Sequence, residues 1–499
     1  MSMTTSPTSA RHLTHYIDGT AAPTVGTAVY ERRGPGDNSI VSVVPLADRK
    51  TVDSAVAAAR AAFDEGPWPR MTGMERARVL NRLADLIDED AEDLARFDAE
   101  ESGKPLRTSH GDIAGAADLC RYAASLAITM AGISVSNAGP DYTGLVLREP
   151  VGVVGLIIPW NFPALILCQK LPFALAAGCT VVAKPSELTS TTAIRIAELC
   201  TRAGVPDGAL NVVLGNGEAG ARIAEHQDVD MISFTGSTRT GRAVLAAAAG
   251  NMKKVSLELG GKAASVVFAD ADLDKAVEGV LFGITFNNGE CCVSQPRLLV
   301  EESVADEFLA RLSRAYRAIK VGPPLSLDTD MGALIHEQHL DKVRGYVDRA
   351  VAEGATVLTG GQVLTGSEYG DGFYYAPTIV TDVPPTSPIF LEEVFGPVLA
   401  AVRFADEAEA IALTNSVEYG LSNTIWSQDI GRVLRVAKAL KSGTVYVNTT
   451  IDAPPTVPFG GYKASGIGRE MGQAGFEEFT ELKTVNIRER TSSFPIPAV

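Results

Sequence analysis

Residues 151–270 alternate short β-branched runs with stretches of helix-forming composition. Six of the runs have strand character: VGVVGLII, TVVAKP, ALNVVLG, MISFTG, KVSLELG and AASVVFAD. Strands that alternate with helical segments form βαβ units, which predict a mostly parallel sheet. Ligands of such sheets bind at the carboxyl ends of the strands, so we expect a site at the turns there. These turns follow Ile158, Ala183, Leu214 and Phe234.

The flanking segments have patterns of their own. Residues 49–99 carry Ala-rich helical periodicity, and we expect these helices to pack on the same domain. After Phe286 a second alternating stretch runs to Gly460 and predicts another α/β domain. TGLVLREPVG and the tail TELKTVNIRER alternate in the manner of exposed strands. Another subunit often covers such strand edges.

Composition narrows the classes of function. A chain of 499 residues exceeds the size of a single core, so at least two domains are expected. The net charge of −16, without a dense Lys/Arg block, argues against nucleic acid and anionic membranes as partners. No apolar leader or membrane-length run is present, so a cytoplasmic location is expected. The six cysteines form no CxxC pair, and we predict neither a disulfide framework nor a metal site.

Cys292, in FNNGECCVSQPR, is the first candidate for chemistry. A thiol attacks as its thiolate, which needs a cation, a helix N-terminus or a base nearby, and an isolated Cys in a turn is more often structural. A cysteine hydrolase would pair it with a His, but the six His residues lie in no motif. His336 and His339 lack the HExxH spacing of a zinc site and are expected at the surface.

Glu258 and Asn161 are the remaining polar candidates. Glu258 ends a strand-like run and is followed by two glycines, where a carboxylate could activate water or simply form a salt bridge. Asn161 lies in the turn PWNFP, where its amide could stabilise an oxyanion or bond its own backbone. From these residues alone, both alternatives stay open.

Two glycine patterns compete for a phosphate group. GNGEAG follows a strand, but the acidic residue expected about 20 positions later is missing. FTGSTRTG places Gly236 and Ser237 at a strand-to-helix turn, where backbone N–H groups and a hydroxyl could meet a phosphate. This turn is the preferred site. Lys184 and Glu187 follow another strand and could hold ribose hydroxyls or form a surface ion pair.

Together these segments resemble the aldehyde dehydrogenase superfamily, specifically its CoA-independent branch that uses NAD⁺ or NADP⁺. The resemblance covers nearly the whole chain. It rests on ESGKP, PWNFP, KPSE, FTGSTRTG, LELGGK, GECC, EEVFGPV, PFGGYKASGIGRE and the tail ELKTV, in this order. Motifs this numerous are far more specific than any one of them.

The resemblance implies an α/β fold with a Rossmann-like cofactor domain, an α/β catalytic domain and a small β oligomerisation hairpin. On this basis the NAD-binding domain is expected at residues 1–130 and 151–260, and the catalytic domain at 261–460. The oligomerisation segments would be 131–150 and 478–499. Homodimers or homotetramers are usual in the family.

The same resemblance implies roles for individual residues. Cys292 corresponds to the nucleophile, Glu258 to the general base and Asn161 to the oxyanion-hole amide. Lys170 and Glu470 match a pair thought to relay protons. The positions that line the dinucleotide are Ile158, Trp160, Lys184, Glu187, Thr235, Gly236, Ser237, Glu393 and Phe395. A carboxylate at Glu187 favours NAD⁺ because it would repel a 2′-phosphate, whereas Lys184 tolerates NADP⁺ as well.

The aldehyde tunnel is expected to be mostly apolar. Its lining positions are Phe162, Leu165, Ile166, Gln169, Phe286, Cys291, Val293, Ile451 and Phe459. Semialdehyde dehydrogenases often carry Arg where Gln169 stands, so a neutral aliphatic or aromatic aldehyde is expected. The chain departs from the family at Glu290, where Gln is common; this carboxylate either raises the pKa of Cys292 or points to solvent.

Three other functions compete with this interpretation. A semialdehyde dehydrogenase would need a cation in the tunnel. A CoA-acylating dehydrogenase has less need of a base, so the presence of Glu258 argues against it. A non-enzymatic scaffold or binding protein on the same fold would have lost Cys292, Glu258 or Asn161, and all three are present.

Overall fold

The computed structural model describes residues 10–24 and 28–490. Two large sheets organise this part of the chain, and helices flank both of them. The α/β fold predicted from the sequence is confirmed. The predicted domain boundaries stay a prediction, and their outermost residues, 1–9 and 491–499, lie outside the described chain. No described helix is both long and apolar enough to cross a membrane.

The first sheet has eight strands, of which the central five are parallel. In spatial order the strands are Gly466–Ile467, Lys254–Glu258, Met231–Thr235, Val153–Ile157, Thr180–Lys184, Leu210–Val212, His15–Ile17 and Thr20–Ala22. The central strands are β-branched and almost entirely buried, as expected for a parallel sheet covered on both faces. The antiparallel strands at both edges come from the chain termini and were not predicted.

The helices of this first half follow the predicted alternation, and those of residues 49–99 contact its strands and helices, as predicted. Their bounds are Arg49–Asp64, Gly73–Glu89, Ala91–Ser102, Leu106–Thr129, Pro163–Ala177, Thr191–Ala203, Gly217–Glu225 and Thr238–Ala248. Pro163–Ala177 is buried nearly all round and ends at Gly178, whose φ of 100° favours glycine. This helix presents the residues that follow Asn161 to the interior.

The second sheet has seven strands and begins with the run AASVVFAD, which therefore leaves the first sheet. In spatial order its strands are Thr356–Thr359, Thr378–Thr381, Val398–Phe404, Arg297–Glu301, Ala264–Val267, Ser422–Trp426 and Thr444–Val447. All neighbours are parallel except the first pair. Its helices are Leu273–Thr285, Ala305–Ala318, Glu337–Ala352, Pro388–Leu391, Glu407–Asn415 and Ile430–Ala439.

A third, three-stranded sheet joins the two segments predicted to be exposed strands. Tyr142–Pro150 pairs antiparallel with the tail strand Thr480–Arg488 along nine residue pairs. Ile133–Val135 pairs with the other edge of Tyr142–Pro150. The short helix Gly472–Glu478 leads into the tail strand. Minor strands complete the described chain: Arg11–His12, Val29–Arg33, Ile40–Pro45, Val363–Leu364, Tyr374–Tyr375, Tyr419–Gly420 and Tyr462–Lys463.

Candidate active site

The loop that carries Cys292 is shaped by three consecutive left-handed residues. Asn287, Asn288 and Gly289 have φ values of 51°, 60° and 74°. Asparagine and glycine tolerate this region best, because other side chains clash with the backbone there. A Cβ at Gly289 would also lie 2.3 Å from the carbonyl carbon of Gly396. The sequence FNNG therefore makes a tight turn that presents the thiol to the cleft.

Cys292 is partly exposed, whereas Cys291 and the other four cysteines are buried. The contact with Cys291, together with burial and the carboxylates of Glu393 and Glu258, raises the pKa of the Cys292 thiol well above its usual value. The thiol is therefore protonated in the protein as it stands. Its activation requires a positive charge or a base at the cleft.

Glu258 ends the strand Lys254–Glu258, as predicted, and is 3% exposed. Neither of its carboxyl oxygens has a hydrogen-bond partner in the described chain. Burial raises the pKa of Glu258 to about 8, against the opposing charges of Lys170 and Arg469. A carboxyl with unbonded oxygens and a pKa near neutrality is suited to take a proton from water.

Asn161 is buried beside the nucleophile loop. Its Nδ2 donates to the main-chain oxygen of Glu290 at 3.1 Å, and its own main-chain oxygen accepts from Asn287 Nδ2 at 3.1 Å. The amide is thus held by the chain that carries Cys292 and does not bond its own backbone. This arrangement favours the oxyanion alternative over the turn alternative.

Lys170 and Glu470 form a buried ion pair, although the sequence separates them by 300 positions. Lys170 Nζ also donates to Ser233 Oγ at 3.0 Å. Burial lowers the pKa of Lys170, while the charge of Glu258 opposes this shift. Lys170 therefore lies near enough to the carboxyl predicted to act as base for each charge to shift the pKa of the other group.

A cleft with a volume of about 200 Å³ opens in front of Cys292. The predicted residues that line it are Asn161, Trp160, Thr235, Gly236, Ser237, Glu393 and Phe395. Three predicted cofactor positions lie outside this lining. Lys184 and Glu187 approach within 3.9 Å of each other after the neighbouring strand, and the Ile158 N–H donates to the main-chain oxygen of Lys184.

The strand-end turn of this cleft fits a phosphate group. Ser237 caps the helix Thr238–Ala248 by accepting from the Thr240 N–H, so the free N–H groups of the first turn face outward. A Cβ at Gly236 would lie 2.5 Å from the Phe234 ring, which makes glycine necessary there. The buried Thr235 Oγ1 has no partner in the described chain. The residues present therefore suit a dinucleotide.

Eight of the nine predicted substrate positions pack in the same large apolar cluster as Cys292. Phe162 and Phe286 stack with ring centroids 5.8 Å apart. The members that pack in the same apolar cluster as Cys292 are Phe162, Leu165, Ile166, Phe286, Cys291, Val293, Ile451 and Phe459. Gln169 is half-buried on the same helix as Leu165 and Ile166. A cation does lie behind this wall: Lys104 Nζ is 4.3 Å from the Phe162 ring centroid and pairs with Asp112.

One histidine and one glutamate are more buried than the sequence predicted. His339 is 7% exposed and lines the cleft, so its predicted surface location is wrong; its Nε2 lies 2.6 Å from the Phe395 main-chain oxygen. Glu290 is 1% exposed, so the solvent-facing alternative is wrong too. Lys342 also lines the cleft and was missed. Nothing in the local pattern around His339 and Lys342 distinguishes these two residues from an exposed helix face.

Comparisons with known proteins agree with this geometry. The model of the aldehyde dehydrogenase family matches residues 23–485. The betaine aldehyde dehydrogenase of Bacillus subtilis is 42% identical over 473 residues, covering 95% of this chain and 96% of that protein. The NADP/NAD-dependent aldehyde dehydrogenase PuuC of Escherichia coli is 42% identical and covers 94% of each chain.

Solved structures extend the agreement to the whole fold. An NAD-dependent aldehyde dehydrogenase from Sinorhizobium meliloti superposes with a TM-score of 0.95 at 44% identity, covering 98% of this chain and 97% of that one. A Staphylococcus aureus betaine aldehyde dehydrogenase in complex with NAD⁺ gives a TM-score of 0.95 at 37% identity and 97% coverage of both chains. The family and reaction class predicted from the motifs are thereby confirmed: the chain belongs to the aldehyde dehydrogenase family.

Proposed function

We propose that the protein oxidises a neutral aliphatic or aromatic aldehyde to its carboxylic acid with NAD⁺. The observation that carries this proposal is the convergence of three groups on one cleft. The Cys292 thiol, the Asn161 amide and the phosphate-fitting turn at Thr235–Ser237 all line it. This is the set of groups that thiol attack, oxyanion stabilisation and dinucleotide binding require.

In the first step Cys292 Sγ attacks the aldehyde carbon, and a C–S bond forms as negative charge moves to the oxygen. The Asn161 Nδ2 and the Cys292 backbone N–H stabilise that oxygen. Because the thiol pKa is raised in the protein alone, Glu258 and the charge that a bound cofactor would bring to the cleft would together set the thiolate fraction. No histidine is required for this activation.

The cofactor is held by residues at the strand ends. Thr235, Gly236 and Ser237 would take the phosphates, and Lys184 with Glu187 the ribose hydroxyls. Ile158, Trp160, Glu393 and Phe395 would complete the dinucleotide wall. When bound, NAD⁺ supplies the acceptor for the hydride that the thiohemiacetal carbon gives up.

A thioester on Cys292 then remains to be hydrolysed. Glu258, whose pKa is raised to about 8, takes a proton from water as the water oxygen attacks the thioester carbon. Lys170, in contact with Glu470 and Ser233, lies beside Glu258 to carry that proton away. The carboxylic acid leaves and the Cys292 thiol is restored.

The substrate class follows from the tunnel. Its aromatic and aliphatic wall offers no cation that could bind a carboxylate at the far end of a substrate. Gln169 occupies the position where semialdehyde dehydrogenases often carry Arg, and Lys104 is paired with Asp112 behind Phe162. Burying an unpaired carboxylate in such a wall is costly. Neutral aldehydes are therefore favoured over semialdehydes.

The third sheet supports assembly into a homodimer or homotetramer. It exposes apolar side chains, among them Ile133 at 65% and Leu482 at 61%. A second copy of the chain would cover such surface and extend the strand edge.

Formation of NADH with hexanal, benzaldehyde, betaine aldehyde and succinic semialdehyde tests the proposal, using NAD⁺ and NADP⁺ separately. We expect the highest kcat/KM for hexanal or benzaldehyde with NAD⁺, and none in Cys292→Ser. A much higher kcat/KM for succinic semialdehyde would contradict the substrate class. Activity that requires CoA would move the protein to the acylating branch.

A further inference from the structure

Glu290 has no part in the mechanism above, yet its side chain is fully buried two residues before the nucleophile. Its Oε1 accepts a hydrogen bond from the Ile335 N–H at 2.9 Å and lies 3.7 Å from His339 Nε2. Both partners belong to the segment that enters the helix Glu337–Ala352. The carboxyl therefore anchors the nucleophile loop to a distant part of the second half of the chain.

The main-chain carbonyl of Glu290 faces the site, on the side opposite to the side chain, and accepts hydrogen bonds there. Its carbonyl oxygen accepts from Asn161 Nδ2 at 3.1 Å and from Asn287 Nδ2 at 2.9 Å. These bonds fix the plane of the Asn161 amide, because one of its two N–H groups is already committed. Movement of Glu290 would move both the oxyanion amide and the thiol.

His339 links the same anchor to the cofactor side of the cleft. Its Nε2 lies 2.6 Å from the Phe395 carbonyl oxygen, and since a carbonyl only accepts, this nitrogen carries the proton. Phe395 has a φ of 63°, which a non-glycine residue keeps only when its surroundings hold it. The Trp160 ring contacts the rings of both residues: its centroid lies 5.8 Å from that of His339 and 5.4 Å from that of Phe395.

We propose that Glu290 is a positioning residue, which ties Asn161 and Cys292 to the Phe395 wall of the cleft through Ile335 and His339. The inference rests on the proposed function and adds a residue to it. Glu290 acts through the groups it holds and does not touch the substrate.

Burial disfavours charge on both groups of this anchor. Burial raises the pKa of Glu290 well above its usual value, although Lys104 and Arg32 face it as cations. Burial also lowers the pKa of His339 to about 3, so the imidazole carries no charge at neutral pH. The contact between them therefore lies where burial disfavours charge on the carboxyl and on the imidazole. A glutamine side chain has the same length as that of Glu290, and its carbonyl oxygen can accept the same hydrogen bond from the Ile335 N–H. Glutamine can therefore replace Glu290 in this role.

Three variants test the inference: Glu290→Ala, Glu290→Gln and the control Glu101→Ala. Glu101 is 1% exposed and its carboxyl is bonded to Ser42 and Thr191, so its loss removes a buried acid whose side chain bonds neither Cys292 nor Asn161 nor Glu290. We expect kcat to fall about 100-fold in Glu290→Ala, as for a displacement of about 1 Å. Glu290→Gln should restore kcat to within about threefold, and Glu101→Ala should lower Tm without lowering the kcat of the folded fraction.

Equal kcat in wild type and Glu290→Ala would overturn the inference. Equal losses of kcat in Glu290→Ala and Glu290→Gln would overturn it too. A loss of kcat in Glu101→Ala as large as that in Glu290→Ala would show that any destabilising change lowers kcat, and would also overturn it. The p-nitrophenolate burst from p-nitrophenyl acetate gives the same comparison without NAD⁺, because acylation of Cys292 needs the Asn161 amide but no hydride acceptor. If wild type oxidises no aldehyde, the proposed function fails, and the burst still decides the role of Glu290.

Discussion

Replacement of Glu258 by Gln removes the group that we assign to thioester hydrolysis and leaves the thiol in place. With a pKa of about 8, Glu258 is about one-tenth ionised at pH 7 and about nine-tenths ionised at pH 9. The hydrolysis rate of wild type should therefore rise about tenfold between these pH values. General-base catalysis contributes about 10²- to 10⁴-fold, so Glu258→Gln should lose a factor in that range.

An ester substrate separates the two halves of the reaction. p-Nitrophenyl acetate acylates Cys292 and releases p-nitrophenolate in a burst, and the following steady rate reports hydrolysis of the acyl-enzyme. Glu258→Gln should keep the amplitude of the burst, although the burst becomes slower because Glu258 contributes to the thiolate fraction, and should lose the steady rate and its pH dependence. Glu393→Gln is the matched control: it changes another, half-buried carboxyl of the cleft, which accepts a hydrogen bond from the Gly261 N–H, and should keep both phases.

A steady rate in Glu258→Gln close to that of wild type would refute the assignment of the base. A wild-type rate independent of pH between 7 and 9, with hydrolysis still limiting, would refute the raised pKa as the cause of the profile. Loss of the burst itself would show that Glu258 serves the attack by Cys292 more than the hydrolysis.

Three further predictions concern single residues of the site. Asn161→Ala should lower kcat about 10²- to 10³-fold with little change in the KM for aldehyde, since the lost amide acts on the oxyanion; an unchanged kcat would contradict its role. Gln169→Arg should raise the ratio of kcat/KM for succinic semialdehyde over hexanal, and a ratio that stays constant would place this position outside the tunnel. Glu187→Gln should lower the ratio of kcat/KM for NAD⁺ over NADP⁺ because it removes the charge that repels a 2′-phosphate, and titration with both cofactors measures it.

The sequence predicted the parallel core and most of the cleft because these depend on local signals. A buried β-branched run followed by glycine and serine marks a strand end such as Thr235–Ser237, and the topology of a parallel sheet brings the strand ends together. Glu258 was placed correctly at a strand end for the same reason.

What the sequence did not show depends on contacts between distant segments. The edge strand Gly466–Ile467 joins the first sheet from near the C-terminus, and a strand of two residues is too short to show a periodic pattern in the sequence. His339 lies in the polar run HEQH, typical of an exposed helix start, and its burial follows from packing against Phe395, 56 positions away. Glu290 is buried by Ile335 and His339, which no local pattern links to it.

The most direct test of the account is the mass of the enzyme after mixing Glu258→Gln with hexanal and NAD⁺. Because this variant should form the thioester but hydrolyse it slowly, the protein mass should increase by one hexanoyl group, located on the peptide that contains Cys292. The adduct should require NAD⁺ and be absent when Cys292 is also replaced by Ser. No adduct under conditions where wild type produces NADH, or an adduct on another residue, would contradict a covalent mechanism through Cys292.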